Sequence, residues 1–269
     1  MLVATKKMKL CFTLFLLLTI FFGNCQIPDS VKSNSVEQTV ICIADFIRKD
    51  SSIVQGVSNG LLLNDSYVLT VYHGYKPDDE TILKSMTVMY FQNSKVDSVK
   101  IDLTYQYTKA EYDFSNHLYN PNDNSTDIVV LKLSKKIIAP KVKFATKKIV
   151  PQDQLFSIGI VQNLNGHFSR KHTLSTYLFS IQNTTTPECN FFALGGDIHV
   201  GFSGSPVYNS KGEIVGMIQS GWNNERDIPY MIRFSENINK VLPFYRMNQR
   251  VGLAIDCDYL IQKYLKGFF

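Results

Sequence analysis

Residues 201–207 read Gly-Phe-Ser-Gly-Ser-Pro-Val, and the chain continues as YNSKGEIVGMIQSG to residue 221. Glycines at 201 and 204 let the backbone fold so that successive N–H groups point one way, a concavity that binds negative charge. The residues that follow read as a strand, a turn at Ser210-Lys211-Gly212 and a second strand. A serine hydroxyl presented in this way is a poor nucleophile at neutral pH. It needs an imidazole as base, and the base needs an acid to fix its tautomer. Backbone N–H groups must also face the developing oxyanion, and those of Gly201 and Ser203 are the candidates.

Two further stretches meet those needs. Tyr67-Val68-Leu69-Thr70-Val71-Tyr72-His73 is a buried-looking strand that delivers an imidazole at its end. Thr126-Asp127-Ile128-Val129-Val130-Leu131-Lys132-Leu133 sets a carboxylate at the head of an apolar strand. Each alone is ambiguous, since a Gly-flanked Ser is usually a turn and an Asp before a strand usually a cap. In the order His73, Asp127, Ser203, separated by 54 and 76 residues, they form a nucleophile–base–acid constellation.

The rest of the chain agrees with a β framework. TVICIADFI (39–47) is a dense apolar run, and GVSNGLLLNDSYVLTVYH (56–73) holds two apolar stretches around Asn64-Asp65, a hairpin by turn chemistry. MTVMYF (86–91), VKIDLTY (99–105), DIVVLKL (127–133), LFSIGIV (155–161), HTLSTYLFSI (172–181) and EIVGMIQSG (213–221) are further strand candidates. FSNHLYNPNDNST (114–126) reads as a loop. The one helix signal is DCDYLIQKYL (256–265), with Asp256 as N-cap. Short strands with frequent turns predict an all-β protein.

The chain opens with Lys6, Lys7 and Lys9, followed by an apolar run from Leu10 to Phe22 that ends at Gly23-Asn24-Cys25. Thirteen apolar residues are too few to span a bilayer, which takes about 20, and the three-part pattern predicts a secretory signal over 1–25. Its removal lowers the net charge from +5 to +2, so the basicity is mostly the signal's and no nucleic-acid partner is expected. Residues 26–38 (QIPDSVKSNSVEQ) read as a polar linker. FFGNC resembles a relaxed bacterial lipoprotein box. On that reading Cys25 is lipidated and tethers the protein to a membrane; plain cleavage is the alternative. Cys42, Cys189 and Cys257 then allow at most one disulfide. There is no CxxC and no His-rich cluster, so no metal site is expected. No other cofactor is expected either.

These motifs together resemble the trypsin-like serine peptidase family. YVLTVYH resembles the family's VLTAAH, TDIVVLKL its DIALLKL, and GFSGSPV its GDSGGP. GVSNGLLLNDSYVLT, and VGLAI followed by a helix, resemble the Deg-type branch; GxSGSPVxN resembles the glutamyl-endopeptidase branch. The resemblance covers about residues 40–265. It implies two six-stranded antiparallel β-barrels, over 39–143 and 144–269, the second with a C-terminal α-helix, with His73 and Asp127 in the first barrel and Ser203 in the second. It also implies a protein or peptide substrate cleaved through an acyl-enzyme. Phe202 stands where the family has Asp or Asn, so the activating ion pair that trypsin makes with its new N-terminus cannot form. Tyr72 is a bulky residue where the family has a small one. Asp197 lies six residues before Ser203, where trypsin-like enzymes keep a specificity acid; a solvated loop Asp is the alternative. Gln219, Ser220 and Gly221 occupy the strand where glutamyl endopeptidases use a His. The rival reading is a catalytically silent binding protein on the same fold. An α/β-hydrolase esterase is disfavoured, because its triad runs Ser, acid, His along the chain.

Overall fold

The computed structural model describes residues 27–75, 80–92, 95–104, 127–150, 152–162, 168–182, 190–196, 198, 201–222, 251–263 and 265–266. The expected loop at 114–126, Asp197, Cys25 and Cys189 lie outside them.

Among the described residues, twelve strands form two six-stranded antiparallel sheets. The first contains β1 (Thr39–Ile47), β2 (Ile53–Leu62), β3 (Tyr67–Thr70), β4 (Ile82–Gln92), β5 (Lys95–Lys100) and β6 (Val129–Lys132), in the order β5-β4-β1-β2-β3-β6. Its two edges meet at a bridge between Ile101 and Leu133, reinforced by the Asp102 N–H donating to the Lys132 carbonyl at 2.8 Å. The second contains β7 (Gln154–Gln162), β8 (Phe168–Gln182), β9 (Asn190–Gly196), β10 (Pro206–Tyr208), β11 (Ile214–Trp222) and β12 (Val251–Asp256), and closes into a barrel in the order β10-β11-β12-β9-β8-β7.

Three cores follow from this arrangement. One fills the first sheet, with Leu62, Val68, Val129 and Leu131. Another fills the closed barrel, with Leu155, Phe192, Phe202 and Ile218. The third is a seam between them, in which Leu61, Leu69, Ile128 and Val130 meet Phe156, Tyr208, Met217 and Leu253. Successive side chains of a strand point to opposite faces. Strands β3 and β6 and the second half of β2 bury both, which is why DIVVLKL is nearly unbroken in its apolar character.

The structure departs from the sequence reading in three places. Residues Asp29–Gln38, expected as linker, form helix α1. Ser and Asn are poor helix formers, and α1 is held by tertiary contacts instead. Val31, Ser35 and Gln38 face inward, the Gln38 Nε2 donates to the Lys141 carbonyl at 3.0 Å, and the Asn34 Nδ2 donates to the Gly212 carbonyl at 3.3 Å. The strand expected over 99–105 runs earlier, because the Asp102 carboxylate accepts the Thr104 N–H at 3.0 Å and turns the chain. Strand β9 lay in no predicted element; its sequence, NFFALGG, ends in two strand-weakening glycines. Cys42 and Cys257, both buried, are free thiols. Burial pushes each up to about 12, so both stay protonated at neutral pH.

The terminal helix α2 (Cys257–Lys263) follows β12 directly. The Asp256 carboxylate accepts the Asp258 N–H at 2.8 Å, as an N-cap does. Burial raises the Asp256 carboxyl above the usual range, so the cap weakens as the pH falls.

If α1 is part of the folded body, Val31→Ala lowers the unfolding free energy by about 2 kcal/mol, from the apolar surface and packing lost. Urea denaturation measures it; an unchanged midpoint would show that α1 adds no stability.

Candidate active site

β3 ends at Thr70, and Val71 leads into a single 3₁₀ turn, Tyr72–Gly74. That turn points His73 at the head of β6. The Tyr72 N–H donates to the Asp127 carbonyl at 3.2 Å, and the His73 N–H donates to Asp127 Oδ1 at 2.8 Å. The His73 Nδ1–H donates to the other carboxylate oxygen, Oδ2. Asp127 is 2% exposed and the imidazole 34% exposed, so a buried acid backs a partly open base.

An ionised carboxylate only accepts hydrogen bonds, so Nδ1 carries the proton and Nε2 keeps its lone pair in the neutral ring. Burial disfavours imidazolium, but the charge of Asp127 and its hydrogen bond outweigh that, and the His73 pKa is raised above its ordinary value.

The serine sits on the tight turn 201–204. Gly201 (φ 97°) and Gly204 (φ 86°) both occupy the left-handed region that favours glycine. The Gly204 N–H donates to the Ile218 carbonyl and the Ser205 N–H to the Phe202 carbonyl, at 2.8 and 2.9 Å. Phe202 is fully buried in the core of the closed barrel, its ring lying on Gly159, where an added Cβ would stand 2.5 Å from it. The residue that departs from the family pattern thus anchors the turn by packing rather than by an ion pair. Tyr72 is buried in the first sheet's core, so neither ring occupies the open face.

The turn is docked on the first sheet. The Asn59 N–H donates to the Ser203 carbonyl at 2.8 Å, and a Cβ on Gly204 would lie 1.8 Å from the Asn59 carbonyl oxygen. The Thr70 Oγ1 donates to that same carbonyl at 2.5 Å. Thr70 is three residues ahead of His73 and pairs with Val129, two residues after Asp127. The chain segments carrying the three expected triad residues therefore converge on β2 and β3. His73 and Asp127 touch directly, and Ser203, half-buried, is held by its backbone to Asn59.

Among the expected pocket residues, Ser220 and Gly221 lie in β11, paired with Leu253 and Gly252 of β12. Gln219 sits between them and Ile218 at an irregularity of that ladder, 1% exposed. Beside His73 opens a cavity of about 290 Å³, with Phe46, Val54 and Val57 as apolar lining and Arg48 among its polar lining. Asp256, Cys257 and Asp258 could bring three metal-ligand atoms within 4.8 Å of one another, but the Asp256 carboxylate caps α2 and the Cys257 thiol stays protonated. The sequence reading missed Asn59; its signal was a polar amide inside the apolar strand of VSNGLLL.

Residues 53–217, more than half the chain, match the family described as a trypsin-like peptidase domain. The chain belongs to the trypsin-like peptidase family. That membership makes it a serine peptidase in type and makes proteins or peptides its substrate class. No curated protein sequence matches it. Among solved structures it is similar to the Rv3671c protease of M. tuberculosis. The inactive form of a serine-to-alanine mutant of that protease (strain H37Rv) superposes with a TM-score of 0.53 at 12% identity, over 89% of this chain and 91% of the other. The active form gives 0.51 at 14%, over 88% and 84%. At such identities the likeness is one of fold. Deg5 also matches, with a TM-score of 0.49 at 15% identity over 71% of this chain and 83% of Deg5.

Because the Phe202 ring is what seats the turn in the barrel, Phe202→Ala is expected to lower stability by about 3–5 kcal/mol. Chemical denaturation checks this; a loss below about 1 kcal/mol would mean that the turn is held by its hydrogen bonds alone.

Proposed function

We propose that this protein is an exported serine endopeptidase whose triad is His73, Asp127 and Ser203. His73 Nε2 takes the proton from the Ser203 hydroxyl as its oxygen attacks a peptide carbonyl. Asp127 holds the ring and balances the imidazolium that forms. The N–H groups of Gly201 and Ser203 receive the oxyanion. Collapse of the tetrahedral species breaks the C–N bond, and His73 returns the proton to the leaving amine. A water molecule then attacks the acyl-enzyme by the same proton path and releases the new carboxylate.

The observation that carries this reading is the pairing of a buried Asp127 with a partly open His73, beside a glycine-framed serine turn docked on the same strands. Export is supported by the basic start and apolar run within residues 1–25. A membrane tether through Cys25 is supported by the FFGNC sequence. No helix among the described residues is long and apolar enough to cross a membrane.

Ser203→Ala is expected to lower kcat by about 10⁶, as removal of a triad nucleophile does, and to abolish fluorophosphonate labelling. Cleavage of labelled casein at the parent's rate by purified Ser203→Ala would refute the assignment. The base works only when neutral, and Asp127 raises the His73 pKa. The acid limb of kcat/KM should therefore titrate above the ordinary imidazole value of about 6.5. Asp127→Asn removes both raising causes and leaves burial, so the limb of the residual activity should move below that value. A limb that stays in place would show that His73 is not the group being titrated.

A further inference from the structure

We propose that Asn59 is a positioning residue for the oxyanion turn, an inference that rests on the catalytic reading of Ser203 above. Asn59 is fully buried in β2 of the first sheet, yet three of its polar contacts reach the second half of the site and a fourth ties it to β3. Its Nδ2 donates to the Gly201 carbonyl. Its Oδ1 accepts the Ile160 N–H of β7 at 2.9 Å. Its own N–H donates to the Ser203 carbonyl at 2.8 Å, and its own carbonyl accepts the Thr70 hydroxyl at 2.5 Å.

Three successive carbonyls of the turn are thereby occupied: Gly201 by the Asn59 amide, Phe202 by the Ser205 N–H, and Ser203 by the Asn59 N–H. A trans peptide directs its C=O and N–H oppositely. Binding the Phe202 carbonyl inside the turn therefore sends the Ser203 N–H the other way, and Asn59 fixes the peptide planes on both sides of that one. Gly201 and Gly204 supply the freedom that makes the turn possible, and the same freedom lets these peptides rotate if nothing holds them. The Asn59 side chain is suited to the task because it donates to one barrel segment and accepts from another. Aspartate keeps the acceptor facing Ile160 but loses the donor facing Gly201. Serine is too short to reach either.

The test compares the parent, Asn59→Asp, Asn59→Ser and Ser203→Ala on one fluorogenic peptide that the parent cleaves. Rates are taken per folded molecule, with folding followed by circular dichroism below each variant's midpoint. Should Asn59→Asp fail to fold because of its buried charge, Asn59→Ser carries the same expectation. Loss of one oxyanion-hole donor costs about 10²–10³ in kcat. Misaligning the turn is therefore expected to lower kcat by about 100-fold while KM stays within about threefold. The affinity of a peptide boronate, which forms the tetrahedral adduct, should fall in step with kcat, while that of the matching carboxylate product should not. A kcat within about threefold of the parent's, or equal losses of boronate and product affinity, would overturn the inference. If Ser203→Ala itself cleaves like the parent, the catalytic reading fails and this inference falls with it. If Ser203→Ala is inactive and the Asn59 variants are not impaired, only the role given to Asn59 fails.

Discussion

The apolar seam between the two sheets is the constraint on which the site depends. His73 and Asp127 belong to one sheet and Ser203 to the other, so their relation is only as definite as the packing between those sheets. The seam is built by strands that are apolar on both faces, with Leu61, Leu69 and Val130 of the first sheet set against Phe156, Met217 and Leu253 of the second. Close-packed interiors deform little. Polar contacts across the seam can then be short and specific, and Asn59 uses that rigidity. Its backbone belongs to one sheet and its amide serves the other.

The serine turn shows how one fold can meet the same requirement by a different force. An ion pair with a freshly cut terminus makes the geometry of the turn depend on processing and on pH. Burying Phe202 against Gly159 makes it depend on apolar contact, which has no titrating group. The turn here is formed together with the barrel core. Residues that look like departures from a family pattern, Phe202 and Tyr72, are core residues of two different sheets, and their bulk is spent inward.

Much of this was readable beforehand where local chemistry and tertiary structure demanded the same residues. His73 at a strand end, Asp127 at a strand head and the glycines around Ser203 are each visible in a few consecutive letters. Strand β1 was legible to its ends because both of its neighbours are strands and its residues are densely apolar, with Asp45 the one charge. What escaped depends on partners distant in sequence. Helix α1 has one apolar anchor, Val31, and otherwise relies on carbonyls of Lys141 and Gly212 that no local pattern announces. Strand β9 has the apolar content of a strand without its punctuation. Asn59 is a single polar letter whose meaning appears only when Gly201 and Ile160, more than a hundred residues away, lie beside it.

Helix α1 also has a mechanical meaning. Ile27 packs on the seam and Pro28 opens the helix, so the chain enters the body already fixed, with no slack in hand. A pull on the chain ahead of Ile27 is borne at once by Val31, Asn34 and Gln38, and through them by both sheets. Force and orientation imposed from that end would reach the site as a whole-body constraint, in the way a short rigid stalk aims whatever it carries.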